Sequence, residues 1–148
     1  GAYSYEQAFQ VARQLALPHS DQAELYRRAL FNILARNQDD HTKNISFLMD
    51  RRGDWHLAPA YDVIYSYNPE GAWTSSHQMS LNGKRDDFTK DDLLAAACSA
   101  NIKPPLAKEI FAQVETAIRQ WKDFALQAEV SNAQHQAIAQ DLRTSIVA

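Results

Sequence analysis

Asp39 and Asn44 stand with four residues between them in the run Asn37-Gln38-Asp39-Asp40-His41-Thr42-Lys43-Asn44, and a further aspartate, Asp62, follows 23 residues after Asp39. An aspartate, four residues, an asparagine and a later aspartate is the order in which a phosphoryl-transferring catalytic loop presents its groups. The chemistry explains the residue types. The transferred phosphoryl group must meet a correctly oriented hydroxyl, and a carboxylate at Asp39 can orient that hydroxyl and accept its proton. The phosphates of a nucleotide travel with Mg²⁺, a hard cation that prefers oxygen, and the side-chain carbonyl of Asn44 and the carboxylate of Asp62 are oxygens of that kind. Taken alone, the spacing recurs by chance in many proteins. Asp39 or Asp40 could equally end a helix or sit in a turn, Asn44 could be a turn residue, and Asp62 could cap a helix. Asp40 is expected to be a solvated neighbour rather than a second base. His41 is expected to hold the loop in shape by hydrogen bonds rather than to relay protons. Lys43 either touches the transferring phosphate or faces water, and its residue type does not decide between them.

Such a loop needs rigid elements on both sides. Upstream, Ser4-Tyr5-Glu6-Gln7 has the form of a capping box and opens a helix to about Leu15. Beyond Pro18, Asp21-Gln22-Ala23-Glu24 offers a second box-like start, and Tyr26, Ala29, Leu30, Ile33 and Leu34 recur at helical spacing toward Arg36. Downstream, Ile45-Ser46-Phe47-Leu48-Met49 and Trp55-His56-Leu57 read as two strands joined by Asp50-Arg51-Arg52-Gly53-Asp54, with Gly53 free to take a positive φ. A hairpin between Asn44 and Asp62 would bring its two ends together, which a free loop of that length would not. Residues 66–88 show no period and contain Asn68-Pro69-Glu70-Gly71, so they are expected to form a long loop. Thr89 can cap a helix through Cys98, with Lys90-Asp91-Asp92 in its first turn. After Pro104-Pro105, the residues Leu106, Ile110, Val114, Ile118, Trp121 and Ala125 make one continuous apolar stripe, the strongest helical signal of the chain. A last, more polar helix is expected from Asn132 to Ile146. The fold class is therefore mainly α with a short β-hairpin, in a single domain spanning 1–148.

Composition narrows the partners. At 148 residues with 45% hydrophobic content the chain can bury a real core, and a net charge of −3 gives no electrostatic case for nucleic acid or an anionic membrane as a direct partner. No run approaches the roughly 20 apolar residues that cross a bilayer. No signal peptide is visible, and Gly1-Ala2 reads as a remnant of cloning. Cys98 is the only cysteine, so no intramolecular disulfide can form; a buried, inert thiol in a reducing, cytoplasmic setting fits. His19, His77 and His135 are scattered and lack cysteine partners, so no zinc site is expected. Trp55, Tyr61, Trp73 and Trp121 are expected to pack in the core or against loops rather than to stack on a ligand.

The words around the loop add to its spacing. Leu30-Phe31-Asn32-Ile33-Leu34, then Asn37 through Leu48, then Trp55-His56-Leu57-Ala58-Pro59-Ala60-Tyr61-Asp62-Val63, and finally Met79-Ser80-Leu81-Asn82-Gly83-Lys84 before Asp92-Leu93-Leu94 resemble, in order, the HipA-like kinase family. The resemblance runs from about Tyr26 to Phe124. It implies the C-terminal lobe of a protein-kinase-like fold, phosphoryl transfer from ATP to a protein Ser or Thr, and toxin activity in a toxin–antitoxin pair. By the same resemblance Asp39 is the catalytic aspartate, with His41 and Lys43 beside it in the loop, and Asn44 and Asp62 hold Mg²⁺ and through it ATP. The implied partners are a DNA-binding HipB-like antitoxin and a substrate protein from the translation machinery, such as an aminoacyl-tRNA synthetase.

One departure accompanies the match. The glycines, Gly1, Gly53, Gly71 and Gly83, form no Gly-x-Gly-x-x-Gly, and no strand-rich region precedes the loop, so the N-lobe that grips ATP is expected upstream. Two other readings stand beside the kinase lobe. A degenerate member acting only as a binding module is disfavoured by the joint presence of Asp39, Asn44 and Asp62. A kinase-like enzyme acting on a small molecule or lipid would use the same loop chemistry.

Overall fold

The protein, seen in a computed structural model, is described over residues 2–148, which leaves Gly1 outside the described residues. Among the described residues there are six α-helices and one two-stranded hairpin: α1 Tyr5–Gln14, α2 His19–Leu34, β1 Phe47–Met49, β2 Trp55–Leu57, α3 Lys90–Ser99, α4 Pro104–Arg119, α5 Trp121–Gln127 and α6 Asn132–Asp141. One-turn 3₁₀ helices occupy Thr42–Asn44 and Thr144–Ile146. The mainly α class with a short hairpin is what the structure has.

The core is built around α2, which packs against α1, α4 and β2. Tyr26, Ala29, Leu30, Ile33 and Leu34 are all buried at the helical spacing read from sequence. The helix begins at His19 rather than at the box-like Asp21. Pro18 supplies the turn into it, and the Asp21 carboxylate accepts instead from the backbone N–H of Leu57 at 3.0 Å, pinning β2 to the helix. The capping box read at Ser4 is present, and Thr89, read only as a cap, forms a second one. Ser4 Oγ accepts from Gln7 N at 3.2 Å while Ser4 N donates to Gln7 Oε1 at 2.8 Å. At α3, Thr89 Oγ1 accepts from Asp92 N at 3.3 Å and Thr89 N donates to Asp92 Oδ2 at 2.7 Å.

Several expectations give way to the structure. The continuous stripe from Leu106 to Ala125 is two helices, broken at Gln120. The turn there lets Trp121 Nε1 donate to His135 O at 3.0 Å, so α5 packs on α6 instead of running straight on. The last helix ends at Asp141 rather than Ile146, because the backbone N–H of Arg143 leaves the helical path to donate to Leu34 O at 2.8 Å. Cys98 is exposed, since the apolar face of α3 turns Leu93, Ala96 and Ala97 inward and leaves the sulfur outside. Trp73 is 77% exposed and Tyr61 is 40% exposed, so neither is a core aromatic. Residues 66–88 hold no helix and no strand, as expected of a loop, yet His77, Met79, Leu81 and Phe88 are buried, and single bridges tie Ser66 to Asn37 and Ser80 to Ser4. The segment is part of the core in irregular form.

Among the described residues no helix is long and apolar enough to cross a membrane.

Candidate active site

The stretch after α2 turns sharply. Arg36 takes a left-handed φ of 60°, and Asn37 N then donates back to Asn32 O at 2.9 Å. The Asn37 side chain repeats the link, donating from Nδ2 to Asn32 Oδ1 at 3.0 Å. This fixes where Gln38, Asp39 and Asp40 leave the helix. The loop then closes on itself: His41 N donates to Asp39 O at 2.9 Å, Asn44 N donates to His41 O at 3.0 Å, and Asn44 Nδ2 donates to Asp39 O at 3.2 Å. The backbone of His41 therefore shapes the loop, whereas its ring makes no hydrogen bond among the described residues, with Nε2 4.0 Å from Asp39 Oδ1 and Nδ1 buried and unpartnered.

The hairpin carries the chain out and back. Phe47 pairs with Leu57, Leu48 with His56 and Met49 with Trp55. Asp50 Oδ1 closes the turn by accepting from Arg52 N at 2.7 Å and Asp54 N at 3.1 Å, and Gly53 takes φ +90°, where an L side chain is strained. The backbone donors of Asp54 and then Arg52 hold the Asp50 carboxyl below the usual carboxylate range. On the return Tyr61 Oη donates to Lys43 O at 2.8 Å, clasping the end of β2 to the loop. Asp62 follows in a left-handed conformation, φ 52°, a region few non-glycine residues adopt but aspartate tolerates.

The outcome is that Asp39, His41 and Asp62 each offer a ligand atom within 4.8 Å of the others. Asp39 and His41 are half-buried and Asp62 is exposed. Asn44 lies at the same place, beside Asp62, His41 and Asp40 on the wall of a cavity of about 40 Å³. With its amide N–H committed to Asp39 O, the free polar atom of the Asn44 side chain is its carbonyl oxygen. The Asp62 carboxylate has no hydrogen bond or ion pair among the described residues. One amide oxygen and one unpaired carboxylate are the hard donors that Mg²⁺ takes, usually keeping several waters of its own. The donor set fits that ion. Lys43 is exposed, and its ammonium has no partner among the described residues.

Asp40 is not the solvated neighbour expected of it. It is buried, with Oδ2 accepting from Tyr5 Oη at 2.6 Å and from His77 Nδ1 at 2.8 Å, and Oδ1 accepting from Gln78 N at 2.8 Å. A buried carboxylate is tolerable only when its lone pairs are met in this way. Burial first, and the Asp40 carboxylate next, push the Tyr5 hydroxyl well above the ordinary phenol range. The two adjacent aspartates thus differ in kind. Asp39 faces outward toward Asp62, whereas Asp40 faces inward and ties the loop to α1 and to the irregular segment. Sequence reasoning missed Tyr5, His77 and Arg143 as partners of the loop, since they lie 35, 37 and more than 100 residues from Asp40 with no period or motif to connect them.

The fourth sequence word has a similar physical basis. Asn82 Nδ2 and Lys84 Nζ donate to the two oxygens of Asp92 at 2.8 and 2.7 Å. Burial opposes ionisation of Asp92, but the donors from Lys84, Asn82 and Thr89 outweigh it and hold the carboxyl well below its usual range.

Comparison with known proteins shows the family and the fold. The model of the family described as the HipA-like C-terminal domain matches residues 1–122. The candidate kinase Y4dM of Sinorhizobium fredii is 34% identical over 88 residues, 59% of this chain and 22% of its own length. A second candidate kinase of that organism, Y4mE, is 35% identical over 65 residues, 43% of this chain and 15% of its own length. Among solved structures, HipA in the Shewanella oneidensis MR-1 toxin–antitoxin complex of HipA, HipB and operator DNA superposes with a TM-score of 0.69 at 20% identity, over 97% of this chain and 34% of that one. The chain thus spans 15–22% of the length of these two relatives and about a third of the solved one.

Proposed function

The chain belongs to the HipA-like C-terminal domain family, and on that premise we propose that it is the catalytic-loop lobe of a toxin–antitoxin kinase that transfers a phosphoryl group from Mg-ATP to a protein Ser or Thr. The observation that carries the reading is the convergence of Asp39, His41 and Asp62 within 4.8 Å, with Asn44 beside them, at the two ends of a hairpin. Kinase names among the relatives support the reaction class, and the HipA fold supports the architecture.

In this reading Asp39 orients the acceptor hydroxyl and takes its proton as the oxygen attacks. The Asn44 carbonyl and the Asp62 carboxylate would hold Mg²⁺, whose charge would screen the phosphates. The loop's internal hydrogen bonds and the buried Asp40 keep these groups from drifting, which matters because phosphoryl transfer depends mostly on positioning and electrostatics. Lys43 is the exposed cation nearest Asp39 in the chain and is assigned to the transferring phosphate. His41 is assigned to lining the site. Gripping the triphosphate falls to an N-lobe, because these 148 residues contain no Gly-x-Gly-x-x-Gly. On its own the chain is accordingly expected to show no ATP turnover and little nucleotide affinity. The proposed partners are that N-lobe, a HipB-like antitoxin, and an acceptor in the translation machinery such as an aminoacyl-tRNA synthetase.

The test is a nucleotide-dependent phosphorylation assay on the full-length protein, with protein acceptors and small-molecule acceptors side by side. Transfer to protein Ser or Thr that needs Mg²⁺ supports the reading. Transfer only to a small molecule, or no transfer with ATP-independent binding of a partner, overturns it.

A further inference from the structure

Arg143 lies beyond residue 122, where the family match ends, yet its side chain reaches both sides of Asp39. The guanidinium is only 12% exposed. Nε donates to Ile33 O at 3.1 Å, and the backbone N–H of Arg143 donates to Leu34 O at 2.8 Å. Those are the last two residues of α2, whose carbonyls have no partner within the helix and carry the negative end of its dipole. Nη1 donates to Asp86 Oδ1 at 2.5 Å. Nη2 is shared between Gln38 Oε1 at 3.3 Å and His77 Nε2 at 2.7 Å.

The last contact fixes a tautomer. A guanidinium can only donate, so His77 Nε2 must accept, and the ring proton sits on Nδ1. That proton is the one donated to Asp40 Oδ2 at 2.8 Å. Gln38 and Asp40 are the residues on either side of Asp39. Both are buried, and Gln38 is held from a second direction by Arg36 Nη1 at 3.0 Å and by its own donation to Thr74 O at 2.9 Å. The half-buried carboxylate of Asp39 is thus carried between two buried anchors that meet at one guanidinium.

We propose that Arg143 is a positioning residue for phosphoryl transfer, holding Asp39 by anchoring Gln38 directly and Asp40 through His77. The inference rests on the kinase reading, because it is Asp39 that must meet the acceptor hydroxyl. A planar fork with several fixed donors can serve Ile33 O, Asp86, Gln38 and His77 together, whereas a lysine offers one point charge. Misplacing a reacting group by about 1 Å can cost about a hundredfold in rate.

Arg143→Ala and Arg143→Lys in the full-length protein test this, read by amide hydrogen exchange and by steady-state kinetics. The Ala variant is expected to speed exchange across residues 37–45 by about tenfold while α4 stays within about twofold of wild type, a local rather than global loosening. Its kcat is expected to fall by about a hundredfold with KM for ATP changed by less than about threefold, and the Lys variant to fall between. Should the Ala variant fail to fold, the Lys variant carries the same comparison. Unchanged exchange in residues 37–45 overturns the proposal, as does exchange that rises equally in α4 with kcat tracking the unfolded fraction. If the wild-type protein transfers no phosphate to any acceptor, the kinase reading falls by itself, and the exchange arm still decides whether Arg143 anchors the loop.

Discussion

His77 Nδ1 lies 2.8 Å from Asp40 Oδ2, joining two side chains that are 37 residues apart in sequence and almost inaccessible to solvent. The bond makes the irregular segment 66–88 a structural partner of the loop from Asn37 to Asn44. It also separates two neighbouring aspartates by role. Asp40 meets three donors in the interior, whereas Asp39 is half-buried with a carboxylate oxygen near that of Asp62, which leaves it open to the role proposed for it.

That separation predicts opposite phenotypes for two conservative substitutions. Asp40→Asn replaces a triple acceptor with a group that turns an N–H toward donors, and should cost about 1–3 kcal/mol of unfolding free energy. Asp39→Asn breaks no buried contact and should stay within about 0.5 kcal/mol of wild type, while phosphoryl transfer by the full-length protein falls by about 10²–10⁴. Urea unfolding and a transfer assay on both variants check this. Wild-type activity in the Asp39 variant would remove it as the base.

Tyr5→Phe should destabilise by about 2 kcal/mol at pH 7, because it removes a hydrogen bond to a buried carboxylate. The penalty should shrink in alkali. The folded phenol keeps its proton above the ordinary value of about 10, so the unfolded chain sheds that proton first. Stability from Tyr5 is then full below about pH 10 and is lost as pH rises through the raised value. Unfolding curves of the two proteins at pH 7 and near pH 10.5 provide the comparison, and a gap that widens in alkali would contradict the assignment.

Much of this molecule can be read from local pattern. The Ser4 capping box, the Thr89 cap, the buried stripe of α2 and the hairpin with its Gly53 turn each depend on residues within a few positions of one another, where propensity and spacing act. Local pattern fails in two ways. Gln120 carries no breaker chemistry, so the end of α4 is set by Trp121 reaching His135 rather than by anything at the break. Asp40 looks like any polar loop residue until Tyr5, His77 and Gln78 close around it, and contacts across so many residues leave no periodic trace. The same holds for Arg143, read as part of a polar terminal helix and found instead at the end of α2. The outward half of the candidate site is legible because Asp39 to Asn44 cluster in sequence and a short hairpin returns the chain to Asp62, while the inward half that holds them is assembled only by folding.

Asp92→Asn tests the anchoring of α3. The folded carboxyl titrates below its ordinary value of about 3.9, so its stabilisation is complete above that pH and is lost as pH falls through the folded value. At pH 7 the variant should lose about 1–3 kcal/mol, since Lys84, Asn82 and the Thr89 cap all point at the carboxylate. Between about pH 4 and pH 2 the wild type should lose stability faster than the variant, so the curves converge. Thermal unfolding across that range reads it directly, and parallel curves would show that the carboxylate is not the anchor.

Asn44→Ala and Asp62→Ala should both raise the Mg²⁺ needed for half-maximal transfer by the full-length protein, and Asp62→Ala should raise it more. Removing Asp62 takes a formal negative charge away from a dication, whereas removing Asn44 takes away a dipole. The two variants also differ in what else they disturb. Asn44 Nδ2 bonds Asp39 O at 3.2 Å, so its loss loosens the loop as well as the metal. The Asp62 side chain bonds nothing among the described residues, and only its carbonyl is engaged, by Asn37 Nδ2 at 3.5 Å. Saturating Mg²⁺ should therefore restore kcat more fully in Asp62→Ala than in Asn44→Ala, even though the half-saturating concentration shifts further. Titrating Mg²⁺ from micromolar to tens of millimolar against transfer rate separates the two effects. A midpoint unchanged in both variants would take these residues out of the metal site and leave the convergence at Asp39 without its cation.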